Sequence, residues 1–372
     1  MSVRSVFGVP VAQGVRALGL AIGVSLTALA VPDAALALDK VVYGTASRQG
    51  VANASMFLAE SMGYFREEGI DISTVQFDGT AVLLPQVANK SITIGYPIPD
   101  FVVISNDTGK DPLPLKFFYN VTRIYNWEIV VPANSPIREL KDLKDKKIGV
   151  NSLSTGNVPA TRSMLREAGL QGGKDVELIP TPQGATAINA LRTGRVDALN
   201  LFDVFHAEIE VYSGIPLRRI PIPEKYLALS GNSFAAHNDL FRDNPDLLKR
   251  FGRAYSKGMV ACYSNPAGCI RNLWKMHPQT KPTSGEDAKN IADSSKILLA
   301  NLRLKMPAGW PDKREFGGFT QIGWQTVLDV LVEAGTVKNR SIDLRKLYTN
   351  DFVPDFGKFN VDEVLARAKA LP

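Results

Sequence analysis

Small hydroxyl and amide side chains, with no catalytic group among them, follow three strand-like segments of the 372-residue sequence. The clearest case is "SLSTGN", residues 152–157, which stands between the strand-like "KKIGVN" and a predicted helix; "GTASRQG" and "FDGTA" have the same character. A helix start exposes unpaired backbone N–H groups and the positive end of the helix dipole, so it binds anionic or strongly polar groups without a charged side chain. Capping of its own helix by Ser154 or Thr155 is the alternative interpretation.

The sequence offers few groups for acid–base catalysis or metal binding. Its three histidines, His206, His237 and His277, stand apart from one another and from both cysteines. It contains no nucleophile elbow and no His-Glu-x-x-His motif, and "GVNSLSTGN" lacks the lysine of a phosphate-binding loop. We therefore predict a protein that is not an enzyme and that has no catalytic residues, no cofactor and no metal site.

The two cysteines of the chain, Cys262 and Cys269, bracket an Asn-Pro turn in "ACYSNPAGC". A close pair of this kind is a candidate disulfide in an oxidising compartment. Two buried thiols on adjacent helices are the alternative.

The N-terminal residues have the order of a secretory signal. Arg4 and Arg16 precede the apolar run "ALGLAIGVSLTALAV", which has the length of a signal h-region, and Ala35-Leu36-Ala37 offers a cleavage site. We predict a signal peptide over residues 1–37 and a periplasmic protein that is not lipid-anchored; an N-terminal buried helix is the alternative. The net charge of +6 is spread among acids, as in "RELKDLKDKK", so we expect no nucleic-acid partner.

Short strands alternate with helices from Leu38 onward, which predicts an α/β fold built from parallel βαβ units. The segments "GTAVLLPQVANKSITIGYPIPDFV" and "GATAINALRTGRVDALNLFDVF" share a glycine turn, a helix, a strand and an aspartate loop, with Asp100 and Asp203 at matching places. This repetition predicts two related lobes with a cleft between them, and chance similarity of two ordinary βαβ units is the alternative. From about residue 240 the sequence is mainly helical, and we assign these helices to packing.

Several segments, in series, resemble one family. They include "LAESMGYFREEGIDI", "SPIRELKDLKDKKIGVNSLSTG", "ALRTGRVDALNLFDVF", "NPDLLKRFGRAYSKGM" and "GWQTVLDVLVEAGTVKNRSIDLRKLYTNDFV". In these segments the sequence is similar to the periplasmic solute-binding proteins of ABC importers, in the nitrate/sulfonate/taurine group that also contains binders of thiamine-pyrimidine precursors. The resemblance implies a two-lobed periplasmic-binding-protein fold of type II, in which each lobe is a βαβ-built sheet flanked by helices, with a helical C-terminal extension. It also implies a monomer that closes on a small polar or anionic solute and delivers it to an importer permease.

The resemblance also implies domain limits and site residues. It places a first lobe over residues 38–126, a second lobe over 127–239, and a return to the first lobe with the helical tail over 240–372, with crossovers near "TRIYNWE" and "AAHNDLF". The implied ligand-binding residues are Ser47, Arg48, Gln49, Thr80, Tyr96, Pro97, Asp100, Ser154, Thr155, Gly156, Asn157 and Asp203. Tyr125, Trp127 and Phe202 are candidates for stacking on a planar ligand, with core packing as the alternative. Arg48 and Arg123 are the cationic candidates for a carboxylate or sulfonate, with a surface position as the alternative for each.

Two other functions stay open on the sequence. One is a periplasmic receptor that senses its ligand for signalling, and the other is the thiamine-pyrimidine-forming enzyme of a related intracellular branch. That enzyme needs an early active-site histidine and a cysteine-rich motif, and the sequence before residue 206 contains neither. The segments "NKSITIG" and "ASRQG" depart from the family pattern at positions that tune the ligand, so the identity of the solute stays open.

Overall fold

The computed structural model describes residues 37–46 and 48–372, and the strands of these residues form two mixed sheets of five strands each. The predicted signal peptide up to residue 36, and Ser47, lie outside the described residues. The strands are β1 (Asp39–Thr45), β2 (Ile70–Gln76), β3 (Ile94–Tyr96), β4 (Leu115–Asn120), β5 (Trp127–Pro132), β6 (Lys146–Val150), β7 (Val176–Pro180), β8 (Ala198–Phe202), β9 (Leu217–Arg219) and β10 (Ser233–His237).

The two sheets have the same topology. The first has the strand order β2-β1-β3-β10-β4 and the second the order β7-β6-β8-β5-β9. In each sheet the first three strands are parallel, and the fourth is antiparallel to both of its neighbours. In the first sheet this fourth strand, β10, follows all strands of the second sheet in the chain, whereas β5 directly precedes the other strands of the second sheet. We call each sheet with its flanking helices a lobe, and the predicted two-lobed α/β fold is confirmed.

The strand Ser233–His237 corrects one detail of the predicted domain limits. The sequence placed this segment in the second lobe, which was to end at residue 239, but the strand pairs with β3 and β4 of the first sheet. The chain therefore returns to the first lobe before residue 233 and not near "AAHNDLF". The other limits stay a prediction, because Ala37–Pro372 form one compact unit.

Helices cover both sheets. They are α1 (Ala54–Ser61), α2 (Tyr64–Glu67), α3 (Thr80–Ala88), α4 (Asp100–Ser105), α5 (Val158–Glu167), α6 (Ala185–Arg192), α7 (Asp203–Ser213), α8 (Asn238–Asp243), α9 (Pro245–Ser264), α10 (Pro266–Met276), α11 (Asp287–Lys305), α12 (Gln321–Glu333), α13 (Val353–Phe356) and α14 (Val361–Lys369). None of these helices combines the length and the apolar character that a membrane crossing requires.

Helix α9 organises the helical layer of the first lobe. Its start follows from the sequence, since Asn244 caps the backbone N–H of Leu247 and Pro245 occupies the first turn. The helix packs against α1, α13 and α14. At Gly258 a Cβ atom would lie 2.4 Å from the carbonyl oxygen of Ser55, so only glycine lets α9 approach α1 this closely.

A disulfide joins the end of α9 to the start of α10. It links Cys262 to Cys269, whose Cα atoms are 5.1 Å apart, and both side chains are fully buried. The Asn-Pro turn noted in the sequence lies between them. At this turn Asn265 caps the backbone N–H of Gly268 at the start of α10. The bridge therefore fixes the turn between two helices of the core.

Two connections, residues 121–126 and 220–232, run between the sheets, and the first lies where the sequence predicted a crossover. They lie side by side: the backbone N–H of Thr122 donates to the Asn232 carbonyl at 3.0 Å, and that of Gly231 donates to the Thr122 carbonyl at 3.1 Å. A Cβ atom on Gly231 would lie 2.8 Å from the Thr122 Cβ, so glycine permits this close pairing. Paired connections of this kind hold the lobes next to each other and leave room for a hinge motion.

Candidate functional site

A cavity lies between the two lobes, beyond the carboxyl ends of β1, β3, β6 and β8, which is where open α/β sheets bind ligands. We call it the central cavity, and its lining residues are Ala46, Ala52, Thr80, Tyr96, Thr122, Asn126, Trp127, Asn151, Thr155, Phe202, Asn232, Asn301 and Lys305. Both lobes, both connections and the end of α11 therefore contribute to one wall.

The loop "SLSTGN" closes one side of the central cavity by touching the first lobe directly. The hydroxyl of Ser154 donates to the carbonyl oxygen of Asp78 at 2.6 Å, and the Ser154 carbonyl accepts from the backbone N–H of Ala81 at 3.2 Å. Gly79 has a φ of +102°, a backbone conformation that favours glycine. A Cβ atom at this position would also lie only 2.5 Å from the Ser154 hydroxyl. A backbone N–H at the start of α3 is thus bonded across the lobes instead of being open to a ligand.

The hydroxyls of this loop do not cap α5. No side chain accepts a hydrogen bond at the N-cap of α5, and the Thr155 hydroxyl accepts instead from the backbone N–H of Ser152 at 3.0 Å. Thr155 lines the central cavity, whereas Ser154 bonds to the other lobe. The alternative of simple helix capping therefore does not describe the loop.

Asp203 lies behind the cavity wall and orients two amides. It is the first residue of α7, and its carboxylate accepts from the amide nitrogen of Asn126 at 2.6 Å and from that of Asn301 at 3.3 Å. Burial raises the pKa of the Asp203 carboxyl, and the two amide donors and the charge of Lys305 act in the opposite direction. Since both NH₂ groups face Asp203, the Oδ1 atoms of Asn126 and Asn301 are buried without a hydrogen-bond partner.

Lys305 brings a cation to the central cavity. It is the last residue of α11, only 3% exposed, and its ammonium donates to the carbonyl oxygen of Ala52 at 2.7 Å. Burial lowers the pKa of Lys305 to about 8, with the negative charge of Asp203 acting in the opposite direction. Within the described residues no carboxylate lies in ion-pair distance of this ammonium, so two of its three hydrogens have no protein acceptor. The indole Nε1 of Trp127 also lacks a partner.

Five of the predicted ligand-binding or stacking residues line the central cavity: Thr80, Tyr96, Trp127, Thr155 and Phe202. Tyr96, Trp127 and Phe202 are nearly fully buried, and the rings of Trp127 and Phe202 meet edge to face with their centroids 5.3 Å apart. Core packing and contact with a ligand are therefore compatible at these positions.

Five other predicted residues lie near the cavity and do not line it. Asp100 is the first residue of α4 and 3% exposed, and burial raises its pKa to about 7. The amide of Asn157 donates to the side chain of Asn200 in the second lobe. A Cβ atom on Gly156 would lie 2.3 Å from the Cγ1 atom of Ile98. The buried hydroxyl of Tyr125 has no hydrogen-bond partner among the described residues. The carbonyl oxygen of Pro97 accepts from the backbone N–H of Ser233 at 2.9 Å.

The predicted cationic and polar residues after β1 lie elsewhere. Arg48 and Gln49 line a second depression, the outer cleft, together with Glu208, Tyr212 and the segment 279–284. The guanidinium of Arg48 lies 3.9 Å from the Glu208 carboxylate. Arg123 donates to the carbonyl oxygen of Arg303 at 3.3 Å and does not line the central cavity.

The sequence analysis missed Asn126, Asn151, Asn232, Asn301 and Lys305. Two of these lie on α11, a helix that we assigned to packing, and its last two turns also line the cavity. A signal was present, because Asn301 and Lys305 fall on the helical stripe that also carries Ile297 and Leu298. A polar and a charged residue on an apolar stripe indicate a buried polar site.

The cavity wall shows no arrangement for metal binding. Among residues 37–46 and 48–372, no group of three or more histidine, cysteine or carboxylate side chains is placed to hold a metal ion. The described lining residues are amides, hydroxyls, aromatic rings, alanines and one lysine. Side chains of these types are suited to hydrogen bonds and ring contacts with a polar molecule.

Comparison with known proteins finds relatives by sequence and by fold. Residues 52–269 match the family described as NMT1/THI5 like. The riboflavin-binding protein RibY of Chloroflexus aurantiacus is 19% identical over 334 residues, which is 88% of this chain and 90% of that protein.

Two solved structures have the same fold. The alkanesulfonate-binding protein SsuA of Xanthomonas axonopodis pv. citri, bound to MOPS, has a TM-score of 0.61 at 17% identity and covers 83% of this chain and 98% of its own. The periplasmic nitrate-binding protein NrtA of Synechocystis PCC 6803 has a TM-score of 0.59 at 13% identity, over 90% of this chain and 99% of its own. The resemblance found in the sequence is confirmed. Because the family match spans more than half of its length, the chain belongs to the NMT1/THI5-like family.

Proposed function

We propose that this chain is a periplasmic solute-binding protein that captures a small polar or anionic organic solute between its lobes and delivers it to an ABC importer. The observation that carries the proposal is the Lys305 ammonium at the wall of the central cavity, with one carbonyl partner and two hydrogens to spare. A buried cation without a paired carboxylate is costly, so its position at a cavity is best explained by an anionic or accepting group of a bound solute.

The surrounding geometry supports the same function. A solute in the central cavity touches both lobes, both connections and α11, so its binding energy is available only when the lobes are together. The named ligands of the similar proteins, riboflavin, an alkanesulfonate and nitrate, are themselves small polar molecules. Export by the predicted signal peptide and a monomeric state complete the proposal.

The test is solute binding by the purified chain with a charge-removal variant. We expect at least one of a set of sulfonates, carboxylates, pyrimidines, riboflavin and nitrate to raise the melting temperature of the wild type, and to raise it further as the solute concentration exceeds the dissociation constant. Lys305→Met removes the ammonium at similar side-chain volume, and we expect affinity for an anionic member to fall about tenfold to a hundredfold, as for a lost charged hydrogen bond.

The matched control is Lys296→Met. Lys296 lies on the same helix, but 79% of its side chain is exposed. Affinity should be unchanged in this variant. Equal loss in both variants, no stabilisation by any solute, or chemical turnover of a bound solute would each contradict the proposal.

A further inference from the structure

We infer that the central cavity selects solutes that carry N–H or O–H donors next to an accepting or anionic group, and that it rejects solutes that only accept hydrogen bonds. This inference rests on the proposed function and names the class of solute. It follows from four polar atoms on residues that line the cavity, and from the carboxylate of Asp203 that accepts hydrogen bonds from two of these residues.

The carboxylate of Asp203 fixes the direction of two amides. An ionised carboxylate only accepts hydrogen bonds, so Asn126 and Asn301 must both turn their NH₂ groups toward it. The backbone N–H of Asp203 also donates to the backbone carbonyl of Asn126 at 3.0 Å, which holds these two residues next to each other. The amides therefore cannot flip to suit whichever solute arrives.

Two accepting oxygens result from this fixed direction. The Oδ1 atoms of Asn126 and Asn301 are buried and have no partner among residues 37–46 and 48–372, and both residues line the central cavity. Buried polar groups are almost always paired, and an unpaired one is costly. A solute that brings N–H or O–H groups pairs these oxygens, whereas an acceptor-only solute excludes water and leaves them unpaired.

The donors of the wall define the other half of the solute. Two hydrogens of the Lys305 ammonium have no acceptor among the described residues, and the indole N–H of Trp127 has none either. Asn301 and Lys305 are four residues apart on α11 and so lie on the same helix face, which sets a donor and an acceptor of the wall side by side. A matching solute therefore presents an acceptor and a donor within a few ångströms of each other.

This selectivity separates the chain from binders of simple anions. Nitrate and unsubstituted alkanesulfonates carry oxygens that accept hydrogen bonds and no N–H or O–H group. In the central cavity they satisfy Lys305 and Trp127 but leave both amide oxygens without a partner. A site whose buried groups are paired only when the solute supplies a particular hydrogen bond rejects analogues that cannot make that bond.

The experiment uses pairs of probes that differ in one donor. Ethanesulfonate is paired with 2-hydroxyethanesulfonate, and benzoate with 4-aminobenzoate, and binding to the full chain is measured by titration calorimetry. In each pair the acceptor-only member is the smaller, so steric exclusion cannot explain its rejection. We expect the donor-bearing member of at least one pair to bind roughly tenfold tighter or more.

Asp203→Asn tests the cause of the preference. Because the new amide is able to donate as well as accept, the neighbouring amides are free to turn their NH₂ groups into the cavity, and the preference within a pair should shrink severalfold. Both members of a pair carry the same anionic group, so the loss of the Asp203 charge changes both affinities alike. Its effect therefore largely cancels in the ratio of the two affinities. If this variant does not fold, Asn301→Leu removes one accepting oxygen and should weaken the donor-bearing probe more than its partner.

The outcomes separate this inference from the proposed function. Equal or tighter binding of the acceptor-only probes, lost in Lys305→Met, overturns the inference and leaves a solute-binding protein. A preference that persists unchanged in both Asp203→Asn and Asn301→Leu also overturns it. Binding of no probe of either kind contradicts the inference and the proposed function together.

Discussion

At the scale of single residues, Lys305 shows a conflict between stability and binding. Its ammonium is almost fully buried and donates to one carbonyl oxygen, so the free protein carries a charge that is poorly compensated. Sites that bind ligands commonly keep such unfavourable groups, because selection acts on binding as well as on stability.

We therefore predict that Lys305→Met stabilises the solute-free protein while it weakens solute binding. Replacement of a buried charge by an apolar side chain of similar volume is typically neutral or stabilising by about 1–4 kcal/mol. Denaturant unfolding without added solute measures the change, with Lys296→Met as the control that should leave the free energy of unfolding within about 0.5 kcal/mol. A marked loss of stability in Lys305→Met would show that the ammonium supports the fold instead.

Asp100 gives the stability of the protein a pH dependence. Burial raises its pKa from 3.8 to about 7, so between these values the folded state binds more protons than the unfolded state. The free energy of unfolding should therefore fall as pH rises from about 4 to about 7. Glu208, whose pKa burial also raises to about 7, acts in the same direction.

We predict that Asp100→Asn reduces this fall, because the amide has the shape of the carboxyl and does not ionise. The measurement is urea unfolding of the wild type and the variant at pH 4.5 and pH 7.5, and the variant should be the more stable one at pH 7.5. Asp71→Asn, at an exposed position of β2, serves as the control and should keep the wild-type pH dependence. Identical pH profiles for wild type and Asp100→Asn would contradict the role given to Asp100.

How far the sequence predicted the site depends on the type of residue. Thr80 and Thr155 were found because a hydroxyl at a strand-to-helix junction is a local pattern. Asn126 and Asn232 lie in the two connections, and only the tertiary pairing of those connections brings them to the cavity. The role of Asp203 behind the wall was equally hidden, since its amide partners are 77 and 98 residues away.

At the scale of elements, the loop 152–157 acts as the contact between lobes. Ser154 bonds to the carbonyl oxygen of Asp78, and Gly156 faces Ile98 of the first lobe without room for a side chain. The sequence indicated this loop as a binding loop, and its part in lobe contact was not visible because Ile98 and Asp78 are distant in the chain.

We predict that Gly156→Ala weakens solute binding and leaves the stability of the solute-free protein nearly unchanged. The added Cβ would lie 2.3 Å from the Ile98 Cγ1 atom and 2.8 Å from the Thr80 hydroxyl, so it obstructs the approach of the lobes and not the interior of either one. Calorimetry should show a loss of about tenfold or more in affinity, corresponding to at least ~1.4 kcal/mol.

Gly50→Ala is the matched control for Gly156→Ala. No atom lies within 4 Å of a Cβ built on Gly50, and its backbone is extended with φ 175°, so alanine fits there. Unchanged affinity in Gly156→Ala would mean that the lobes close without the contact to Ile98. A loss of stability equal to the loss of binding energy would instead assign Gly156 to the fold of the second lobe.

The elements themselves were largely predictable, and the order of the strands was not. The alternation of β-branched runs with helical stripes identified the βαβ units, since both signals are local. The insertion of β10 between β3 and β4 of the first sheet depends on pairing between strands that are far apart in the chain. The sequence therefore placed "SGNSFAAHN" as a strand of the wrong lobe.

At the scale of the whole molecule, the two lobes are variations of one unit. Asp100 and Asp203 begin equivalent helices, after β3 and β8 respectively, as the repeated sequence segments predicted. Burial raises the pKa of both carboxyls, but Asp203 orients cavity amides while Asp100 is packed within the first lobe. The two lobes thus repeat one unit, and its aspartate has different surroundings in each lobe.

The outer cleft adds a charge contact between the lobes. Arg48 follows β1 of the first lobe and lies 3.9 Å from Glu208 on α7 of the second lobe. Burial raises the pKa of Glu208 to about 7, with Arg48 acting in the opposite direction, so the attraction is fully present only above that pH. Lys305 sets the opposite limit, because its pKa is lowered to about 8 and it loses its charge above that value.

We predict that the affinity for a sulfonate has a maximum between about pH 7 and pH 8. Below this range Glu208 becomes neutral and no longer attracts Arg48 across the closed cleft, and above it Lys305 no longer carries a charge for the solute. A sulfonate is fully ionised throughout, so calorimetry from pH 5.5 to pH 9.5 reports on the protein alone. Glu208→Gln should remove most of the decline on the acid side and keep the decline on the alkaline side, which serves as an internal control. An acid-side decline that persists unchanged in Glu208→Gln would remove the Arg48 contact from lobe closure.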